Sequence, residues 1–173
     1  MILLSIMREI KPLNGHKGGE VKMALSRHYH VGNLRRLNTH ITTPNSEVNL
    51  DFTELGNRLD EAQAALDDMI LEDMIRYMPG RNGRLIQETR ALNSDLYGEV
   101  AVYPPDLPYG HYQWEGEKYV NPNGGPNYKG NKLVPSGEAL HYPSNLNAEA
   151  HWDEAAIRDN KDKWLARIQN MFS

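Results

Sequence analysis

The chain reads as an α+β domain, and three stretches carry that reading. Apolar side chains recur at helical spacing over residues 55–76, alternate at strand spacing over 96–103, and return to helical spacing over 148–172. Helices flanking a region of short strands belong to the class in which helices pack on a small sheet.

The first helix opens after Asp51 or Thr53, either of which can cap it, with Glu54 favourable at the positive end of the helix dipole. Leu55, Leu59, Ala62, Leu66 and Met69 follow at alternating steps of four and three, with Ile70 beside them, and form one stripe. Arg58, Glu61, Asp68 and Glu72 fall on the opposite, solvated face. Pro79 cannot continue the hydrogen-bond ladder, and Gly80-Arg81-Asn82-Gly83 supplies turn residues that tolerate positive φ. Leu96, Gly98, Val100 and Val102 then alternate with Tyr97, Glu99, Ala101 and Tyr103, the period of a strand. Residues 55–119 are therefore expected to form a helix, a tight turn and two short extended segments.

The composition changes at residue 104. Seven of the ten prolines lie within residues 104–143. Tyr109, Tyr112, Trp114 and Tyr119 anchor the first part, and residues 121–137 read as a long, mobile, structureless loop of the kind that binds something. Gly124-Gly125 with Lys129 is no phosphate loop, because no GxxxxGK[ST] pattern is present. A closing helix over 148–172 is expected, with Asn147 as its cap and Trp152, Ala155, Ala156, Trp164, Leu165, Ile168 and Phe172 on its packing side.

With 173 residues the chain has the length of one domain, and 39% hydrophobic residues make its core modest. A formal charge of −4 argues against general nucleic-acid binding, which needs a basic surface to release counterions. The absence of cysteine removes disulfides, thiolate nucleophiles and cysteine-ligated zinc together. The apolar start MILLSIM is too short to span a membrane, and its charges follow the apolar run, unlike those of a signal peptide. Lys17-Gly18-Gly19-Glu20 before Met23 is what a purine-rich ribosome-binding site gives when read as codons. Translation is thus expected to start at Met23, with 1–22 an upstream extension, 1–52 an N-terminal arm and 53–173 a single domain.

Candidate chemistry is sparse. His28 and His30 share a strand face, with His40 further on, but no clear third metal ligand accompanies them. His151 and Glu154 are one helical turn apart, an isolated pair. The first helix is acidic, yet Asp67 and Asp68 point to different sides of it. Asp73 falls beside the apolar stripe and is expected to accept from the backbone donors of the following turn. No HExxH or GxSxG pattern occurs.

Three ordered motifs resemble one family. They are the turn Pro79-Gly80-Arg81-Asn82-Gly83-Arg84-Leu85, the aromatic element Pro108-Tyr109-Gly110-His111-Tyr112-Gln113-Trp114-Glu115-Gly116, and Ala150-His151-Trp152-Asp153-Glu154-Ala155-Ala156 with Trp164 beyond. In this order they resemble the minor capsid, or head–tail joining (tail-completion), proteins of the neck of long-tailed bacteriophages. That family has Pro-x-x-Thr-Gly-x-Leu, then Pro-Tyr-Ala-x-x-x-Tyr/Trp-x-Gly, then Ala-His-Trp-x-x-x-Ala. The chain departs from it at Asn82 (Thr in the family), Glu88-Thr89 (Ser) and Gly110 (Ala). The resemblance covers residues 55–171.

The resemblance implies helices on a small antiparallel sheet and a structural virion subunit, assembled in the host bacterial cytoplasm, with no catalysis, cofactor or metal. It implies a ring of six copies between the head connector or stopper and the tail terminator, with the genome passing through without sequence-specific binding and no membrane involved. Pro79, Gly83, Leu85, Tyr109, Tyr112, Trp114, Gly116, His151, Trp152 and Trp164 are the motif and interface candidates. A monomer in dilute solution is expected, and an acidic helix facing the channel would repel duplex DNA. The rival readings are another neck ring (adaptor, stopper or tail terminator) and a small metal-dependent hydrolase using Asp73, His151 or Glu154.

Overall fold

The computed structural model describes residues 26–28, 39–80, 83–126 and 132–173. Residues 1–25, including MILLSIM and Met23, together with His30, lie outside the described residues.

Helix α1, Thr53–Ile75, buries Ala62, Gln63, Leu66, Ile70, Asp73 and Met74 on one side. Phe52 occupies the cap position, and the Asp51 carboxylate accepts from the Thr53 amide at 2.8 Å. Leu55 at the head of the predicted stripe stays 38% exposed. The stripe is covered by α4, Trp152–Asn170, which runs antiparallel to α1. Arg58 donates to the Met171 carbonyl at 2.7 Å near one end, and Tyr77 donates to Asp159 at 2.9 Å beyond the other.

After Pro79 the chain enters α2, Arg84–Asn93, where the sequence indicated a turn running into extended chain. The helix buries only Leu85 and Thr89, too narrow a stripe to register as a period. Gly83, at φ 71°, stands at its N-cap. Strand β4, Glu99–Ala101, is shorter than the predicted 96–103. It pairs antiparallel with β1, Ser26–His28, so part of the N-terminal arm contributes a strand beside the helices. Val100, Ala101, Val102 and Tyr103 are all buried, which is why the alternation in this stretch is loose.

The aromatic element, also expected to be extended, forms α3, Pro108–Glu115, with proline opening the helix and Gly116 closing it in the left-handed conformation. Strand β5, Glu117–Val120, pairs antiparallel with β6, Val134–Ala139, across an irregular register. The end of the predicted 121–137 loop is therefore strand, while residues 127–131 fall outside the described residues. Helix α4 starts after His151, later than the predicted 148, because residues 140–151 form a non-helical strap. Asn147 lies in that strap and its amide donates to Asn145 Oδ1 at 3.0 Å.

The α+β class holds, with antiparallel pairing throughout. The strands do not merge into one small sheet; the described residues form three two-stranded ladders, β1–β4, β5–β6 and a hairpin of β2, Thr39–Thr43, with β3, Ser46–Leu50. The core is mainly helical. Ala62, Leu66, Ile70, Met74 and Met78 meet Trp152, Ala156, Trp164 and Ile168, and Leu85, Val100, Val102 and Leu107 close the side.

Candidate interaction surface

The described residues of the three motif segments, distant in sequence, pack together at one end of the helical core. Gly116 has φ 73°, and a Cβ there would lie 2.4 Å from the Ala150 Cβ, so conformation and contact both require glycine. The His151 amide donates to the Trp114 carbonyl at 2.8 Å. The two rings meet edge-on with centroids 4.2 Å apart. Trp114 Nε1 in turn donates to Asp153 Oδ1 at 2.7 Å. Gly110 lies where a Cβ would come 3.2 Å from Tyr103 Cβ and 3.4 Å from Leu85 Cδ1, so the departure from alanine lets the first and second motifs close up.

The strap is clamped from several sides. Leu140 N donates to the Gly116 carbonyl at 2.7 Å, and Tyr142 Oη donates to the Gln113 carbonyl at 2.5 Å. Asn145 Nδ2 donates to the carbonyls of Arg76 at 3.0 Å and Met78 at 2.8 Å, satisfying groups that the end of α1 leaves open. Arg158 donates to Glu149 at 3.0 and 3.1 Å and to Asp159 at 2.7 and 2.9 Å. Arg158, and then the Tyr77 hydroxyl, hold the Asp159 carboxyl down at about 2. Burial raises the Tyr142 phenol, keeping it the neutral donor that its bond to Gln113 requires.

Between strap and helices lies a groove of about 710 Å³, lined by Pro79, Leu85 and Tyr109 on one side and Leu140, Tyr142 and Pro143 on the other. Its lining is mostly apolar. Tyr109 lines it, while the Tyr109 Oη is buried away from solvent without a hydrogen-bond partner.

Pro79, Leu85 and Tyr109 are thus drawn from the candidates to one groove, while Gly83 shapes the turn behind it. Trp114, Gly116 and His151 hold the strap, and Tyr112 packs on Tyr119 with ring centroids 4.4 Å apart. Trp152 and Trp164 leave the interface list: they are 0% and 1% exposed, and their indoles donate inside the subunit, to the Val102 carbonyl at 3.0 Å and to Asp73 Oδ2 at 2.8 Å. Asp73 therefore bonds a side chain across the α1–α4 contact, not the backbone of the next turn. Arg76 at 3.4 Å and Lys163 at 3.5 Å flank it.

The residues of the hydrolase reading do not converge. Asp73 meets Trp164, about 18 Å along α4 from its first turn at the helical rise per residue, whereas His151 precedes that turn. Among the described residues no three His, Asp or Glu side chains gather to hold a metal. His40 lies 2.9 Å from Glu47, both exposed. Much of the acidity of α1 is used internally: Asp60 accepts from Tyr97 at 2.9 Å, Asp67 from the Gly98 amide at 2.8 Å, and Glu72 pairs with Arg90. Glu54, Glu61 and Asp68 remain exposed.

Tyr142, Asn145 and Asn93 were not legible as structural residues. They sit in polar stretches without a period, and their partners are backbone groups far along the chain or across a turn. Among the described residues no helix is long and apolar enough to cross a membrane. No family model, no curated protein and no solved structure matches the chain.

Proposed function

We propose that the chain is a structural subunit of the bacteriophage neck, forming a head–tail joining ring of six copies between the head connector or stopper and the tail terminator. The observation that supports this reading best is the convergence of the three motif segments. The described residues of the three motifs, 79–80 and 83–85, 108–116 and 150–156, pack around one seam, as expected if the ordered resemblance describes one folded unit and not chance matches. The seam leaves an apolar groove, and elsewhere in the chain the β2–β3 hairpin is exposed, features suited to contacts between copies and with axial partners. Trp and Tyr side chains that recur in the motifs then act chiefly by holding the strap, and contact falls to the groove and loops.

Cryo-electron microscopy of the virion neck tests the reading. The expected outcome is density for this chain as a ring between connector and terminator, with residues 121–133 ordered against neighbours. A neck whose density is fully accounted for by other chains overturns it. A ring at another level of the neck gives the adaptor, stopper or terminator role instead.

A further inference from the structure

We propose that Asn123 is a site of spontaneous deamidation, where water converts its carboxamide to a carboxylate through a cyclic imide closed by the Gly124 nitrogen. The reaction needs only the isolated chain, so it is independent of any neck assembly.

Asparagine is thermolabile where two conditions meet. Its carboxamide must be free to move, and the backbone nitrogen of the next residue must reach the side-chain carbonyl carbon unobstructed. Asn93, Asn145 and Asn160 hold their carboxamides in hydrogen bonds to backbone groups. Asn121 Oδ1 accepts from the Asn123 amide at 3.0 Å, and Pro122 after it has no N–H to offer. Asn123 meets both conditions. It is exposed, no hydrogen bond holds its carboxamide among the described residues, and it is the one described asparagine that a glycine follows. A Cβ on Gly124 would meet nothing within 4 Å, so neither a side chain nor a neighbour crowds the nitrogen.

A second turn of the same build isolates the effect of that glycine. In residues 121–124 the Asn123 amide donates to Asn121 Oδ1, and the Gly124 amide to the Asn121 carbonyl, both at 3.0 Å. In residues 145–148 the Asn147 amide donates to Asn145 Oδ1, and the Ala148 amide to the Asn145 carbonyl, again at 3.0 Å. Asn123 and Asn147 are both exposed. Each nitrogen must first leave its turn bond, a local opening that exposed loops undergo readily. Past that step, the methyl of Ala148 obstructs attack in one turn and nothing does in the other.

Hydroxide takes the Gly124 amide proton, and the nitrogen bonds to Asn123 Cγ. The bond from Cγ to Nδ2 breaks, and ammonia leaves with a proton from water. Water then opens the imide at either carbonyl, giving aspartate or isoaspartate, with no change of oxidation state. Each conversion adds one negative charge to the loop that the neck reading sets against neighbouring subunits, and isoaspartate also lengthens its backbone.

The full chain, held at mildly alkaline pH and body temperature, is sampled over time and digested with trypsin. Tandem mass spectrometry follows the fragment of residues 119–129 and the fragment carrying Asn147. Asn123 is expected to convert several-fold faster than Asn147, to give both aspartate and isoaspartate, and to react faster as pH rises. Equal rates at the two asparagines overturn the proposal, as does conversion of Asn123 only when urea unfolds the chain. Aspartate without isoaspartate overturns the imide route. Gly124→Ala is expected to slow the reaction at Asn123 several-fold, and an unchanged rate overturns the role of the glycine.

Discussion

Trp164 donates its indole N–H to the carboxylate of Asp73 at 2.8 Å, with both residues almost wholly buried between α1 and α4. The bond joins the middle of the closing helix to the last turn of the first, and Arg76 and Lys163 approach the carboxylate from the surface.

Asp73→Ala leaves a buried donor without a partner and is expected to cost about 1–3 kcal/mol in denaturant unfolding. Asp73→Asn keeps an acceptor oxygen and is expected to lose less. Equal losses for the two variants would show that the charge, and not the hydrogen bond, matters.

Gly116→Ala meets two obstacles, positive φ and the 2.4 Å approach to Ala150. The expected loss is about 2–4 kcal/mol, adding the left-handed penalty to the cost of overpacking. Adding Ala150→Gly removes the steric part, so the double variant should recover roughly half. No recovery in thermal unfolding argues that backbone conformation alone carries the effect.

Asn93 closes the edge of β4 that β1 leaves open. Its amide donates to the carbonyls of Thr89 at 2.8 Å and Ala101 at 2.9 Å, and its oxygen accepts from the Ala101 amide at 2.7 Å. Asn93→Asp cannot make the two donations and is expected to destabilise more than a loss of one bond, by about 1–3 kcal/mol. Hydrogen exchange at the Ala101 amide should accelerate more in Asn93→Ala, which removes its acceptor, than in Asn93→Asp.

Asp159 gives a pH signature. Its folded value of about 2 lies below the ordinary 3.8, so its stabilisation is present above that ordinary value and is lost as pH falls towards 2. The stability difference between the parent chain and Asp159→Asn, followed by urea unfolding, should be small at neutral pH because the pair is exposed. It should shrink between pH ~4 and ~2. A difference that grows on acidification contradicts the assignment.

Much of the helical frame was legible because periodicity reports a wide apolar stripe, and α1 and α4 each bury one. Helices α2 and α3 were missed for the same reason. α2 buries only an i, i+4 pair, and α3 is set by proline and glycine at its ends, with packing supplied by the strap. The aromatic residues of the motifs were visible as a group, but their role was not. Trp152 and Trp164 read equally well as contact residues or core until the chain is closed.

The sequence by itself determined the α+β class, the α1 and α4 stripes, the break at Pro79 and the positions of three motifs, all of them local patterns. Only the tertiary structure decided that Asp73 faces Trp164, that Gly116 meets Ala150 and that Asn145 satisfies the end of α1. Those pairings join residues up to 91 positions apart. A contact across such a distance leaves no period in the sequence, because each partner alone belongs to its own local pattern until packing brings the two together.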